Sequence, residues 1–293
     1  MNNRRGSIIW LASYPKSGNT WFRVFYTNLI HDKVRPANLN ELEARYQAAN
    51  RSLFDDYAGV ESADLTQDEI ERLRPRVFEA ISRVEGQNGK PIMMKIHDAF
   101  TRTDDDRPLI APHATRGAIY FLRNPLDVAV SFAHQNGCDI DTMITIMADD
   151  AYSLCRRSDA LANQLRQRLS SWSSHVTGWV DGLGQHLHLM RYEDMVRSPL
   201  ETFTGAARFA HLPDEPERIR KALHFSDFRE LQRQEQAHGF IEKSPSAESF
   251  FRKGQIGSWR EVLNDRQARR IIHDHYAVMK RFGYLDDHDE PVF

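Results

Sequence analysis

Four short apolar runs are spread along the chain, and longer segments with helical periodicity separate them. The runs are short and mostly apolar, which is typical of strands buried on both faces. Strands that alternate with helices form a mostly parallel sheet. The runs are "SIIWLA" (7–12), "PIMMKI" (91–96), "GAIYFL" (117–122) and "HLHLMRY" (186–192). The sequence therefore predicts an α/β fold, in which helices flank a mostly parallel central sheet.

Capping residues mark where several helices begin. Thr66 stands three residues before Glu69, which is the spacing of a capping box. Asn124 has the residue type of an N-cap, and the proline that follows it suits the first helical position. A last helix is predicted over about 264–282, whereas 33–90 is polar and weakly patterned.

Composition bounds the class of protein. A chain of 293 residues with 41% hydrophobic and 27% charged residues can form one domain, 1–293, with a substantial core. The formal net charge of −2 gives no global electrostatic case for nucleic acid or an anionic membrane as a partner. Two cysteines provide no disulfide framework, and no apolar stretch approaches 18 residues. A cytoplasmic location is expected.

The first apolar run continues into a loop that could bind an anion. In "ASYPKSGNTW" (12–21), Gly18 permits a tight turn, and an amphipathic segment follows. Main-chain amides at the start of such a helix can hold a phosphate or sulfate. In the Walker A loop of nucleotide triphosphatases the lysine follows the last glycine, but Lys16 precedes Gly18 here. The order of residues therefore disfavours a nucleotide triphosphatase.

The loop and two later segments resemble the PAPS-dependent sulfotransferases. "YPKSGNTW" differs from the family's 5′-phosphosulfate loop, YPKSGTTW, only at Asn19. "YFLRNPLDVAVSFAHQ" resembles the 3′-phosphate segment, with Arg123 at a strand end and Ser131 on the next helix. "FFRKGQIGSW" resembles RKGxxGDWK, with Ser258 in place of Asp and Arg260 in place of Lys. The three motifs occur in the family's order.

The resemblance implies a P-loop nucleotide-hydrolase-like sulfotransferase fold. It also implies transfer of a sulfuryl group from PAPS to a hydroxyl or amine of a small-molecule acceptor, by in-line displacement, with release of PAP. No metal is implied. The residues predicted to bind the co-substrate are Lys16, Ser17, Gly18, Asn19, Thr20, Trp21, Arg123, Ser131, Tyr192, Ser226, Phe228, Arg252, Lys253 and Gly254.

Three residues are predicted to be catalytic. In "MMKIHDAF", Lys95 and His97 are two positions apart, so a strand would place both side chains on one face. The family has lysine and histidine at this spacing, with the histidine as general base, a role that suits its pKa. Lys16 is the candidate for stabilising the leaving-group oxygen. The adjacent Glu193 and Asp194 are interpreted as charges at a helix start instead of a catalytic pair.

Two other functions stay open at this point. An ATP-dependent small-molecule kinase would use the same kind of fold, but it needs Mg²⁺, and the sequence offers no obvious metal ligand. A non-catalytic nucleotide-binding protein is the other alternative. The family's dimer motif, KxxxTVxxxE, is absent after Trp259, so the oligomeric state is not predicted.

Overall fold

The computed structural model describes residues 6–44, 46–156 and 162–293. The strands in these ranges are β1 (Ile8–Ser13), β2 (Tyr46–Gln47), β3 (Ile92–Ile96), β4 (Thr115–Leu122), β5 (Ser153–Leu154), β6 (Gln167–Arg168) and β7 (Leu187–Arg191). The helices are α1 (Asn19–His31), α2 (Arg51–Ala58), α3 (Gln67–Glu85), α4 (Pro125–Asn136), α5 (Ile140–Ala148), α6 (Trp172–Leu183), α7 (Tyr192–Arg197), α8 (Pro199–Phe209), α9 (Pro216–Phe225), α10 (Phe228–His238) and α11 (Asp265–Arg281). Short 3₁₀ helices lie at Ser62–Asp64, Gly86–Asn88, Gly184–His186 and Ser258–Glu261.

Five strands form the central sheet, in the order β2-β3-β1-β4-β7. β1 runs parallel to β3, with Ile8 opposite Ile92, and β2 also runs parallel to β3. Every residue of β1 is buried, as expected for a central strand covered on both faces. The four apolar runs correspond to β1, β3, β4 and β7, which confirms the predicted α/β fold with a mostly parallel sheet.

The chain divides into two compact units, and each is assembled from three segments. Unit 1 contains the described residues of Met1–Tyr14, Ala44–Tyr120 and Asp150–Leu189, and it holds most of the sheet with α2, α3 and α6. Unit 2 contains Pro15–Glu43, Phe121–Asp149 and Met190–Phe293, with the remaining helices. The single domain over 1–293 stays a prediction.

Aromatic side chains and a well-capped helix stabilise unit 1. Trp10 of β1 packs edge-on against Phe78 of α3, with ring centroids 5.0 Å apart. The Trp10 indole N–H donates to the Thr115 hydroxyl at 2.9 Å, so its one polar atom is satisfied. The Thr66 side chain accepts from the Glu69 amide, and Glu69 accepts from Thr66 in return. The predicted capping box at the start of α3 is therefore confirmed.

The core of unit 2 is built on α1. Phe25 of α1 packs on Phe203 of α8 at 4.6 Å between ring centroids, and Phe22 contacts Phe121 at 5.3 Å. The Asn124 side chain accepts from the Leu126 amide, as predicted for the N-cap of α4. Among the residues described in both units, no helix has the length and apolar character needed to cross a membrane.

Candidate active site

The loop between β1 and α1 turns through two residues with positive φ, Lys16 (69°) and Gly18 (103°). α1 begins directly after it, and Gly18 supplies no side-chain cap. The φ of Gly18 strongly favours glycine, and a Cβ atom there would also lie close to Cδ2 of Tyr192, at 3.1 Å. The first amides of α1 therefore have no acceptor from an N-cap side chain, which is an arrangement that suits a bound anion.

Ser17 supports an anion site in this loop. Its side chain is buried at 1% exposure, and its hydroxyl oxygen has no hydrogen-bond partner among the described residues. An unsatisfied buried hydroxyl costs about 1–3 kcal/mol, and a bound phosphate or sulfate oxygen would remove that cost. The Lys16 ammonium lies 3.9 Å from the centroid of the Phe250 ring. The loop residues thus fit a phosphosulfate group.

Arg123, at the carboxyl end of β4, joins two of the predicted segments. Its Nη1 donates to the main-chain oxygen of Lys16 at 3.0 Å, and Nη2 donates to that of Gln255 at 3.1 Å. The guanidinium carbon lies 4.1 Å from the centroid of the Tyr192 ring. The three motif segments therefore meet at one guanidinium. Ser131, about two turns along α4, is half-buried.

Asp127 anchors the last of these segments at its C-terminal end. Its carboxylate accepts from the Gly257 amide at 2.8 Å, the Ser258 hydroxyl at 3.1 Å and the Trp259 amide at 3.0 Å. Ser258, which replaces the family's aspartate, thus keeps a local anchor through its hydroxyl. Sequence reasoning missed Asp127, because its three partners lie 130 or more positions away.

The basic residues of this segment are held differently from one another. Arg252 and Lys253 are both half-buried. Lys253 forms an ion pair with Glu261. Gly254 has a φ of +64°, and a Cβ atom there would lie 2.5 Å from Cδ2 of Phe228. Only glycine therefore fits against the ring at the start of α10.

Aromatic residues surround the start of α1. Trp21 meets Tyr192 at 6.1 Å between ring centroids and Phe203 at 5.3 Å. Burial raises the pKa of the Tyr192 hydroxyl. The Ser226 hydroxyl donates to the Ala222 main-chain oxygen of α9 at 2.9 Å, so it is already bonded within its own helix. A nucleotide contact for Ser226 and for Phe228 stays a prediction.

Glu193 is a second residue whose importance the sequence did not reveal. It is fully buried, and its carboxylate accepts from the Asn124 amide and from the Tyr284 hydroxyl, both at 3.0 Å. Burial raises the pKa of this carboxyl. Asp194 is instead 45% exposed and pairs with Arg191. Both residues lie in the first turn of α7, as predicted. The interpretation as helix-start charges did not include the hydrogen bond by which Glu193 holds the Asn124 amide, next to Arg123.

A separate polar group lies in unit 1, around the end of β3. Lys95 is on β3 and His97 directly follows the strand, and both side chains are half-buried. His97 Nδ1 lies 2.8 Å from the main-chain oxygen of Ser13 and 3.3 Å from its hydroxyl. Because a carbonyl oxygen can only accept, Nδ1 carries the proton in the neutral ring and Nε2 is the basic nitrogen.

Buried polar residues hold the main chain at His97 from several sides. The Asp98 carboxylate accepts from two nitrogens of Arg74, at 2.8 and 2.6 Å, and the Trp179 indole donates to the Asp98 main-chain oxygen at 2.9 Å. His175 Nε2 donates to the His97 main-chain oxygen at 3.1 Å. Burial lowers the pKa of His175 to about 4. None of the described His, Cys, Asp and Glu residues form a group of three or more that could hold a metal ion.

Comparisons with known proteins cover nearly the whole chain. A family model described as a sulfotransferase domain matches residues 7–283. Flavonol 3-sulfotransferase of Flaveria bidentis is 23% identical over 279 residues, which are 90% of this chain and 78% of the relative. Amine sulfotransferase of Oryctolagus cuniculus is 24% identical over 295 residues, which are 95% and 82% of the two chains.

Two solved structures share the fold. Retinol dehydratase in a complex with retinol and PAP has a TM-score of 0.62 at 18% identity, with 94% of this chain and 82% of that chain covered. A mouse sulfotransferase complexed with PAP has a TM-score of 0.56 at 17% identity, with 94% and 86% covered. The kinase alternative is not favoured, since the family match includes all three motif segments. The chain therefore belongs to the sulfotransferase-domain family, and it is a sulfotransferase enzyme.

Proposed function

We propose that this enzyme transfers the sulfuryl group of PAPS to a hydroxyl or amine of a small-molecule acceptor and releases PAP. The observation that carries the proposal is the Arg123 guanidinium, which bonds to the main-chain oxygens of Lys16 and Gln255. It brings the loop, the end of β4 and the 250–260 segment together. A nucleotide with anionic groups on two different positions requires cationic and amide donors from separate segments of this kind.

The loop holds the 5′-phosphosulfate in this proposal. The main-chain amides of 17–21 and the N-terminus of α1 bind its oxygens, and the Ser17 hydroxyl supplies one more donor. The Lys16 ammonium stabilises the negative charge that develops on the bridging oxygen as the S–O bond breaks. Its contact with Phe250 is worth about 0.5–2 kcal/mol, which a charge-assisted hydrogen bond of about 1.5–3 kcal/mol can replace.

The remaining part of the nucleotide is bound by residues of unit 2. The 3′-phosphate is assigned to Arg123 and Ser131, together with the 252–254 stretch. Trp21 and Tyr192 offer aromatic surface for the adenine, and we assign Ser226 and Phe228 to the same part of the nucleotide. The amide next to Arg123 is held by buried Glu193, which supports a fixed position for the guanidinium.

His97 acts as the general base in the proposed mechanism. Its Nδ1–H is held by Ser13, so Nε2 can take the proton of the attacking hydroxyl or amine. Lys95, on the same face of β3, adds positive charge that favours the developing anion. Catalysis then depends on positioning and electrostatic stabilisation, as in phosphoryl transfer.

The acceptor class and the location are proposals of the same kind. The names of two relatives mention a flavonol and an amine, and both would accept a sulfuryl group in the same type of displacement. We therefore propose small hydroxylated or amine-bearing acceptors. A cytoplasmic location is supported by relatives that are named cytosolic sulfotransferases.

Binding of PAP tests the proposal directly. At a hundredfold excess over its Kd, PAP should stabilise the protein by about 2.7 kcal/mol, which is measured as a thermal shift. Turnover with PAPS should then appear over a panel of phenols, alcohols, amines and sugars, and EDTA should leave it unchanged. Lys16→Ala should lower kcat by about 10²–10³-fold, whereas Lys33→Ala, at an exposed position, should not. A shift with ATP and none with PAP would overturn the proposal.

A further inference from the structure

Phe293 lies against the anchored end of the 250–260 segment. It is 7% exposed, and its main-chain oxygen accepts from the Trp259 indole N–H and from Arg260 Nη1, both at 2.9 Å. Arg260 Nη2 donates to the Pro291 main-chain oxygen at 3.2 Å. A Cβ atom on Gly257 would lie 3.5 Å from the main-chain carbon of Phe293. The residues just after the predicted nucleotide-binding stretch are therefore bonded to 291–293.

The Phe293 ring is held between cationic and aromatic side chains. The guanidinium carbon of Arg197 lies 4.4 Å from the ring centroid, and that of Arg191 lies 5.6 Å from it. Tyr284 meets the ring edge-on at 5.9 Å between centroids. Tyr284 also donates to Glu193, the residue that holds the amide beside Arg123. These contacts fix the position of the ring. Through Tyr284 and Glu193 they connect it to the Asn124 amide, next to Arg123.

Arg260 is one of the two residues, with Ser258, at which this chain departs from the family's RKGxxGDWK motif. Its guanidinium donates to two main-chain oxygens at once, and it lies 4.4 Å from the ring centroid of Trp259. The forked geometry of a guanidinium suits two acceptors, whereas a lysine ammonium is a compact point charge. The two hydrogen bonds to the main-chain oxygens of Pro291 and Phe293 therefore explain why Arg suits position 260 in this chain.

We propose that Phe293 and Arg260 are positioning residues, which hold the 252–257 stretch in its nucleotide-binding conformation. The stretch has no helix or strand of its own, and Asp127 and Arg123 hold it from one side. A binding segment that is already ordered pays less entropy when the ligand arrives. The inference rests on the proposed function, because it assigns this stretch to the co-substrate.

Phe293→Ala tests the inference by separating binding from turnover. We expect the Kd for PAP and the KM for PAPS to rise about tenfold, with kcat at saturating PAPS and the KM for the acceptor unchanged. Phe293→Tyr keeps an aromatic ring and should restore the wild-type Kd. Arg260→Ala should weaken PAP binding in the same way, whereas Val292→Ala, at an exposed neighbouring position, should have no effect. Hydrogen exchange in 252–257 should become faster only in the variants that bind PAP weakly.

The possible failures are distinguishable. If the wild-type protein does not bind PAP, the proposed function fails. If the wild-type protein binds PAP and Phe293→Ala binds it equally well, only the positioning role fails. A fall in kcat together with a lower fraction of folded protein, at an unchanged Kd, would also overturn this role, because it would show a merely structural residue.

Discussion

The position of the proton on the neutral His97 ring decides which of its two nitrogens can accept a proton. The main-chain oxygen of Ser13 holds the Nδ1 proton, so Nε2 is the basic nitrogen. This contact also restricts the orientation of the ring. The backbone geometry at Ser13 therefore favours the role of general base that we propose for His97.

His97→Ala should lower kcat for sulfuryl transfer by about 10²–10⁴-fold, because a positioned general base contributes about that factor. The Kd for PAP should stay unchanged, since the ring is assigned to the acceptor proton and not to the nucleotide. Steady-state kinetics with PAPS and calorimetric titration with PAP measure the two quantities. His113→Ala, at an exposed histidine, is the matched control. Unchanged kcat in His97→Ala would show that another group takes the proton.

Single residues also show where sequence reasoning stopped. Lys16, Arg123 and His97 could be selected because each lies in a short local motif. Asp127 and Glu193 could not, since an acidic residue near a helix start is normally a solvated charge. Their partners are 130 and 69 positions away in the chain. Only the folded structure brings these buried carboxylates to the amides that they hold.

Between α10 and the 3₁₀ helix at Ser258–Glu261, the chain has no helix or strand, yet α10 holds it in place. The Glu235 carboxylate accepts from the amides of Phe250 and Phe251 at 2.7 and 2.9 Å. Gln232 donates to the main-chain oxygens of Phe251 and Arg252. A helix thus supplies the hydrogen bonds that this irregular stretch lacks internally.

Glu235→Ala should make the stretch 239–257 more sensitive to trypsin, which can cut at Lys243, Arg252 and Lys253. Loss of the acceptor leaves two amides without their partner, at a cost of about 1–3 kcal/mol, so the open form should be populated about tenfold more. Cleavage tracks that population when opening is fast. Glu248→Ala removes an exposed carboxylate from the same stretch and should cleave like wild type. Equal cleavage of both variants would contradict the role of Glu235.

At the level of elements, the apolar pattern and the capping residues predicted the main strands and two helix starts. The four apolar runs predicted β1, β3, β4 and β7 to within two residues at every end, and Thr66 and Asn124 marked the starts of α3 and α4. The two-residue strands β2, β5 and β6 were not predictable, because each is too short to show a pattern and exists only through pairing with another strand. α2 was missed within the weakly patterned 33–90 stretch, although Asn50 caps it.

On the scale of the whole molecule, the two units contain different parts of the proposed site. The residues assigned to the nucleotide all belong to unit 2, and the proposed base and its supports belong to unit 1. Stability of unit 1 therefore matters for the base. His175, which donates to the His97 main-chain oxygen, also receives a hydrogen bond at Nδ1 from the Tyr120 hydroxyl at 2.8 Å. A neutral ring satisfies both contacts.

Burial lowers the pKa of His175 from 6.5 to about 4, so acid should destabilise the fold through this group. Between pH 6.5 and 4 the unfolded chain binds a proton there and the folded chain does not, which lowers the free energy of unfolding by about 1.4 kcal/mol per pH unit. The total reaches about 3 kcal/mol, and no further loss follows below pH 4. Urea unfolding of wild type and His175→Gln across this range isolates the effect, because other titrating groups cancel in the difference. Parallel stability curves for the two proteins would show that His175 does not stay neutral in the folded chain.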